Sequence, residues 1–188
     1  MTNHENLNDE DLVGLVRDKD PELYAVLMRR YQAKLLRYAR YLVRSNPRAE
    51  DVVQEAFIKA FINLKGFNVK KKFSSWIYRI VHNEAVNQLK KHSKETRLTE
   101  AIAAQLASKE PQPDEVFENG EVRRALKQRL EELPLKYRSP LALFYLEERS
   151  YDEISDTLRI PIGTVGTHIN RGKKLLRALC ERKNNVRK

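Results

Sequence analysis

Along the first hundred residues, apolar side chains return every three or four positions rather than every second one. Leu23, Leu27, Tyr31, Leu35, Tyr38 and Leu42 form one such series. Ahead of it, Asp20-Pro21 has the form of an N-cap followed by proline at the first helical position. Asn46-Pro47 repeats that start, and Val52, Val53, Ala56, Phe57, Ala60, Phe61 and Leu64 keep the same spacing as far as Gly66, a fitting helix stop. A lysine-rich connection, Asn68 to Lys72, precedes a third helix from about Ser74, with Ile77, Ile80, Val81, Ala85 and Leu89 turned inward. A short acidic helix, Asn8 to Lys19, stands in front of all three.

The second half reads as shorter pieces. Val122, Leu126, Leu130 and Leu133 mark a helix stopped by Pro134, and Leu141 to Glu148 marks the next. Ser150-Tyr151-Asp152-Glu153 has capping-box spacing, with a hydroxyl at the cap and a carboxylate three residues on. That helix ends near Leu158. After Arg159-Ile160-Pro161 comes a last long helix with the inner stripe Val165, Ile169, Gly172, Leu176 and Leu179. Nothing alternates convincingly with period two, and no internal repeat is visible. The pattern predicts an all-α fold of two small helical domains, residues 1–94 and 121–188, joined by a flexible linker at 95–120.

Charge sharpens this division. The chain of 188 residues carries 36 Lys and Arg against 26 Asp and Glu, a net charge of +10. Residues 21–94 hold 16 basic and 5 acidic side chains, and 121–188 hold 16 and 9. Residues 1–20 and 95–120 each hold 2 basic and 6 acidic ones. Two basic blocks therefore flank an acidic stretch that also contains Pro111, Pro113 and Gly120. Cations in blocks favour nucleic acid, because each phosphate they neutralise releases condensed counterions.

Other chemistry is thinly represented. Cys180 is the single cysteine, and His4, His82, His92 and His168 lack metal-ligand spacing, so no disulfide, metal or cofactor is expected. No P-loop, nucleophile motif or paired-carboxylate constellation supports an enzyme. The polar, acidic start does not resemble a secretory signal, and the longest notable apolar run, Leu141 to Leu146, is far too short for a membrane span. A cytoplasmic protein without membrane insertion is expected.

Two helices joined by a few residues, Ser150 to Leu158 and Ile162 to Arg182, describe a helix-turn-helix. With Val165, Ile169 and Leu176 inside, Thr164, Thr167, His168, Arg171 and Lys174 face outward, flanked by Lys173 and Arg177. Short polar groups near the start of such a helix can reach base edges, and later cations can hold phosphates.

Tyr151-Asp152-Glu153-Ile154, Ile160 to Val165 and Arg171 to Leu175 resemble the promoter-reading module of bacterial sigma factors. They also resemble the module of LuxR-type regulators, which would bind duplex DNA without polymerase. The first domain discriminates: Ala49 to Phe57 resembles the polymerase-binding helix of the sigma-70 family. Phe73 to Ile80, His82-Asn83-Glu84 and Leu89-Lys90-Lys91 resemble its DNA-melting element. With these two modules alone, the chain resembles the extracytoplasmic-function group of that family over about residues 21–94 and 121–180.

The resemblance implies a role for each module. Asp51, Gln54 and Glu55, at i, i+3 and i+4, would share an exposed stripe that docks on the coiled coil of the polymerase β′ clamp. Read without the family, such carboxylates could merely serve the helix dipole. The downstream, minus-ten element would be opened and held by Phe67, Asn68, Lys70, Lys71, Lys72, Trp76, Arg79, Asn83, Asn87 and Lys90. Trp76 stays open between core and base platform, whereas Phe73 reads mainly as packing. The upstream, minus-thirty-five element would fall to Thr164, Thr167, His168, Arg171, Lys173, Lys174 and Arg177. Partners implied are core RNA polymerase, through its β′ clamp and β flap, promoter DNA and an anti-sigma factor. The linker, including the mildly amphipathic Leu98 to Leu106, would thread the RNA channel. Gly166, Thr167, His168 and Arg159 depart from the commoner residues, and Arg159 stands where the turn usually has glycine.

Overall fold

The computed structural model of the chain describes residues 6–103 and 129–186, with side chains for 6–93 and 129–181. Its helices include α1 (Asp9–Asp18), α2 (Tyr24–Val43), α3 (Asn46–Ile62), α4 (Phe73–Ala103), α5 (Leu135–Tyr145), α6 (Tyr151–Leu158) and α7 (Ile162–Val186). No strand occurs among the described residues.

The start signals act as the local chemistry requires. Asp20 Oδ1 accepts from Glu22 N at 3.0 Å and caps a short 3-10 turn, Pro21–Leu23, that runs into α2. At α6 the capping box is complete: Ser150 Oγ accepts from Glu153 N at 3.2 Å, and Glu153 Oε2 accepts from Ser150 N at 2.9 Å. The acidic helix α1 is tied down by its own carboxylates. Asp9 pairs with Arg30 at 2.7 Å and accepts from the Tyr31 hydroxyl, and Glu10 Oε1 accepts from Phe73 N at 2.7 Å. That last bond places a negative charge on the N-terminus of α4, where free N–H groups favour it.

Helices α2, α3 and α4 pack against one another around Leu27, Leu35, Tyr38, Leu42, Phe73, Ile77 and Tyr78, all fully buried. The Tyr24 hydroxyl satisfies the Phe57 carbonyl at 2.8 Å, closing α2 on α3. Four details differ from the periodicity. Helix α3 ends at Ile62, and Gly66 closes a separate 3-10 turn, Leu64–Gly66. Phe61 is half exposed, leaning on the Tyr24 ring at 5.0 Å, because the inner groove is already filled by Phe57 and Ala60. Helix α4 continues to Ala103, into the stretch read as linker, since 95–103 contains no proline or glycine to stop it. Helix α5 starts at Leu135 and stops at Tyr145: it opens directly after Pro134 and carries Pro140 inside. The remainder of the expected linker, 104–120, and the first part of the helix expected over Val122 to Leu133 lie outside the described residues.

Leu133, Leu141, Leu143, Ile154, Val165 and Ile169 form the apolar centre of the second group of helices. Arg159 ends α6 in the left-handed region, φ 56° and ψ 43°, the conformation a glycine would adopt more cheaply. Gly172 lets α7 lie close on α5: a Cβ there would stand 2.7 Å from Leu141 Cδ1, 3.2 Å from Leu141 Cγ and 3.3 Å from Tyr137 Cβ. Gly172→Ala is therefore expected to destabilise the chain by about 1–2 kcal/mol, despite alanine's better helix propensity. Equilibrium urea unfolding reads this, and a stabilised variant would contradict the close approach.

Candidate functional site

Helix α3 turns Val52, Val53, Ala56 and Phe57 inward and leaves Asp51, Gln54 and Glu55 exposed on one ridge. The first turn of α3 contains no acidic residue, and Asp51 and Glu55 lie beyond it. The helix dipole, which acts mainly within that turn, does not account for them. The ridge continues into an apolar patch missed by the periodicity. Ile58 and Ile62 extend the same face, with Ile62 70% exposed, and Phe61 of α3 is an exposed apolar side chain too. The signal was present in the sequence as two isoleucines lying off the inner stripe of α3.

On α4, Trp76, Arg79, Asn83, Asn87 and Lys90 follow at steps of three and four and share one face. Asn83, Asn87 and Lys90 are exposed, as are Asn68, Lys70, Lys71 and Lys72 in the preceding connection. Asn68 Oδ1 accepts from Lys70 N at 3.0 Å, which shapes this connection as a tight turn. Trp76 is half-buried, and Phe73 is core as expected. Phe67 is also packed, with its ring 5.0 Å from Trp76 and 5.8 Å from Phe73, so it is a wall and not a free platform. These residues surround a cavity of about 270 Å³ lined by Gly66, Phe67, Asn68, Lys71, Trp76 and Arg79, with Asp156 and Arg159 on its far side. An aromatic wall, a side-chain amide and several cations suit an unstacked base and its phosphate.

Helix α7 presents Thr167, Arg171, Lys173, Lys174 and Arg177 to solvent. Thr164 and His168 are half-buried, and the His168 ring meets Tyr137 edge-on at 5.5 Å. Thr167 Oγ1 donates back to the Gly163 carbonyl at 2.9 Å. Gly166 is half-buried beside Tyr151, where a Cβ would be 3.4 Å from Cε2. The outward face of the helix-turn-helix is thus most open at its cations.

Two family models match this chain, Sigma-70 region 2 over residues 27–95 and Sigma-70 region 4 over 123–176. The chain belongs to the extracytoplasmic-function group of the sigma-70 family. Among curated relatives it is 32% identical to the ECF RNA polymerase sigma factor SigW of Bacillus subtilis, covering 86% of this chain and 91% of that protein. It is 31% identical to the ECF RNA polymerase sigma-E factor of Escherichia coli, covering 92% and 94%. Its fold is shared with the sigma factor RpoE bound to the anti-sigma factor NepR from Bartonella quintana (TM-score 0.68, 20% identity, 82% and 94% covered). It is shared also with CnrH bound to the cytosolic domain of CnrY (TM-score 0.69, 21% identity, 93% and 97% covered).

This sigma factor directs core RNA polymerase to promoters, the activity that defines its family. The region 2 match decides against the LuxR-type alternative, which the helix-turn-helix alone had left open. Sigma factors regulate transcription and are not known as enzymes. No helix among the described residues is long and apolar enough to cross a membrane.

Proposed function

We propose that the two domains divide promoter opening between them, region 2 within about residues 1–94 and region 4 within about 121–188, with the linker between. The Asp51, Gln54 and Glu55 ridge grips the β′ clamp, and Ile58, Phe61 and Ile62 extend that contact with apolar area. The α4 face and its cavity hold the unstacked minus-ten strand. Stacking on Trp76 at about 1–3 kcal/mol per base offsets part of the cost of melting. Helix α7 reads the minus-thirty-five element while region 4 rests on the β flap. The acidic linker follows the RNA channel, where negative charge imitates a transcript. The sigma factor works in the cytoplasm, held in check by an anti-sigma factor, as the solved RpoE named above is bound to the anti-sigma factor NepR.

The observation that carries this division is the segregation of surfaces. A carboxylate ridge stands on α3 in a block of 16 basic and 5 acidic side chains, while cations dominate the exposed faces of α4 and α7.

Permanganate reactivity of thymines tests it on a promoter recovered by mapping the starts this factor directs. With core polymerase present, reactive thymines are expected at the minus-ten element only. Arg171→Ala should lose ~1–3 kcal/mol of binding at the minus-thirty-five element and relax its sequence preference. Lys71→Ala should weaken binding to all sequences and lower the salt slope by ~1. Reactive thymines at the upstream element instead would reverse the assignment of the domains.

A further inference from the structure

The front of the chain is an acidic block, 2 basic and 6 acidic side chains over residues 1–20, that the division of promoter opening does not use. Helix α1 lies in this block, and the Sigma-70 region 2 match, which begins at residue 27, does not extend to it. Leu12, Val13 and Val16 bury its inner face, and α1 packs against α2, the 3-10 turn Leu64–Gly66 and α4. Between that turn and Phe73, the first residue of α4, runs the connection from which Phe67, Asn68 and Lys71 line the cavity. Helix α1 thus touches both ends of the segment that shapes the cavity.

At one of those ends the hold is a hydrogen bond. Glu10 Oε1 accepts from Phe73 N at 2.7 Å, across 63 positions of chain. This N–H opens α4 and has no partner within the helix. Phe73 is fully buried, so its amide cannot turn to water if Glu10 is removed. Its ring is the hub of an aromatic cluster, 5.5 Å from Tyr31, 5.8 Å from Phe67 and 5.7 Å from Trp76. Phe67 and Trp76 stand 5.0 Å apart and both line the cavity. A shift of Phe73 therefore moves the aromatic wall, because close-packed rings transmit displacement. The Tyr31 end of the cluster is fixed by the same helix, whose Asp9 accepts from the Tyr31 hydroxyl and pairs with Arg30 at 2.7 Å.

We propose that Glu10 is a positioning residue for minus-ten recognition, and that α1 is a brace setting the shape of the cavity through the Phe73 amide. The inference rests on the reading of the α4 face as the single-strand site. It also accounts for carboxylates close to a surface meant for DNA. Asp9 and Glu10 are turned onto protein donors, so their charge is met before it can repel a strand.

Two readings on the full chain test the brace. Trp76 is the single tryptophan, so acrylamide quenching of its emission reports the cavity wall directly. Base discrimination is the second reading. It is the ratio of initiation, with core polymerase, from a promoter this factor directs to initiation from copies with one base changed in the minus-ten element. A loss of folded chain alone leaves that ratio unmoved. Glu10→Ala removes the acceptor and should raise the quenching and lower discrimination about tenfold, the effect of displacing one base contact. Glu10→Asp keeps the charge but is one methylene short of Phe73 N. It should behave likewise, and it carries the test should Glu10→Ala fail to fold. Glu10→Gln keeps the accepting oxygen and should match the parent in both readings. Asp18→Asn, the same change in charge at the far end of α1, should match it too.

Unchanged quenching in Glu10→Ala and Glu10→Asp would overturn the brace while leaving the functional reading intact. Raised quenching with parental discrimination would instead overturn the α4 face as the single-strand site, and the inference with it. Discrimination lost in Glu10→Gln or in Asp18→Asn would mean that charge on α1, and not the bond to Phe73, is what matters, and would overturn the role of Glu10.

Discussion

Asp51→Arg will weaken association with core RNA polymerase by about thirtyfold or more, roughly 2 kcal/mol or more, the cost of removing one partner of a charge-assisted contact and placing a like charge in its place. The fold gives no reason for the loss to be structural. Asp51 is exposed, lies beyond the first turn of α3, and enters no ion pair among the described residues, whereas its neighbours Val52 and Val53 carry the packing. Surface substitutions of this kind change stability by about 0.5 kcal/mol or less. Fluorescence anisotropy of the chain labelled at the exposed Cys180 measures the affinity. Binding of duplex DNA by region 4 should be unaffected by the substitution. Equal affinity of variant and parent for polymerase would remove the ridge from the interface.

The second large effect is on acid stability. His82 lies largely buried on α4 with Nδ1 3.1 Å from the Tyr38 hydroxyl, and burial pushes its pKa down to about 4 from 6.5. Between those values the unfolded chain binds a proton at this side chain and the folded chain does not. Folding is therefore most favoured above pH 6.5 and loses about 2 kcal/mol by pH 5 and about 3 kcal/mol by pH 4. Urea unfolding at pH 7, 6 and 5 reads the slope in a window where few carboxylates titrate. His82→Gln, which cannot ionise, should be flatter across that window. A parent whose stability is level from pH 7 to pH 5 would mean that His82 is protonated in the folded chain.

The features legible in the sequence are those decided within a few residues. Asp20-Pro21 and the Ser150 to Glu153 box start their helices where local hydrogen bonding dictates, and the spacing of Asp51, Gln54 and Glu55 puts them on one ridge whatever surrounds them. Periodicity reports which side chains share a face, but not which face finds a partner. Phe61 has the spacing of an inward residue and is half exposed, because Phe57 and Ala60 already fill the inner groove. Helix α5 starts six residues ahead of the Leu141 that periodicity marks, since Pro140 obscures a helix that opens after Pro134. Glu147 gave no local sign of burial: its cation, Arg37, comes from the other domain. Spacing alone leaves Trp76 open between core and surface, and the side chain is half-buried, packed on Phe67 and lining the cavity.

The most direct measurement of the whole account is transcription in vitro from genomic DNA by core polymerase supplemented with this chain, with start sites mapped. Initiation is expected to be confined to a discrete set of promoters sharing two elements, dependent on Asp51 and altered in its upstream preference by Arg171→Ala. Starts scattered as they are with core polymerase alone would contradict it.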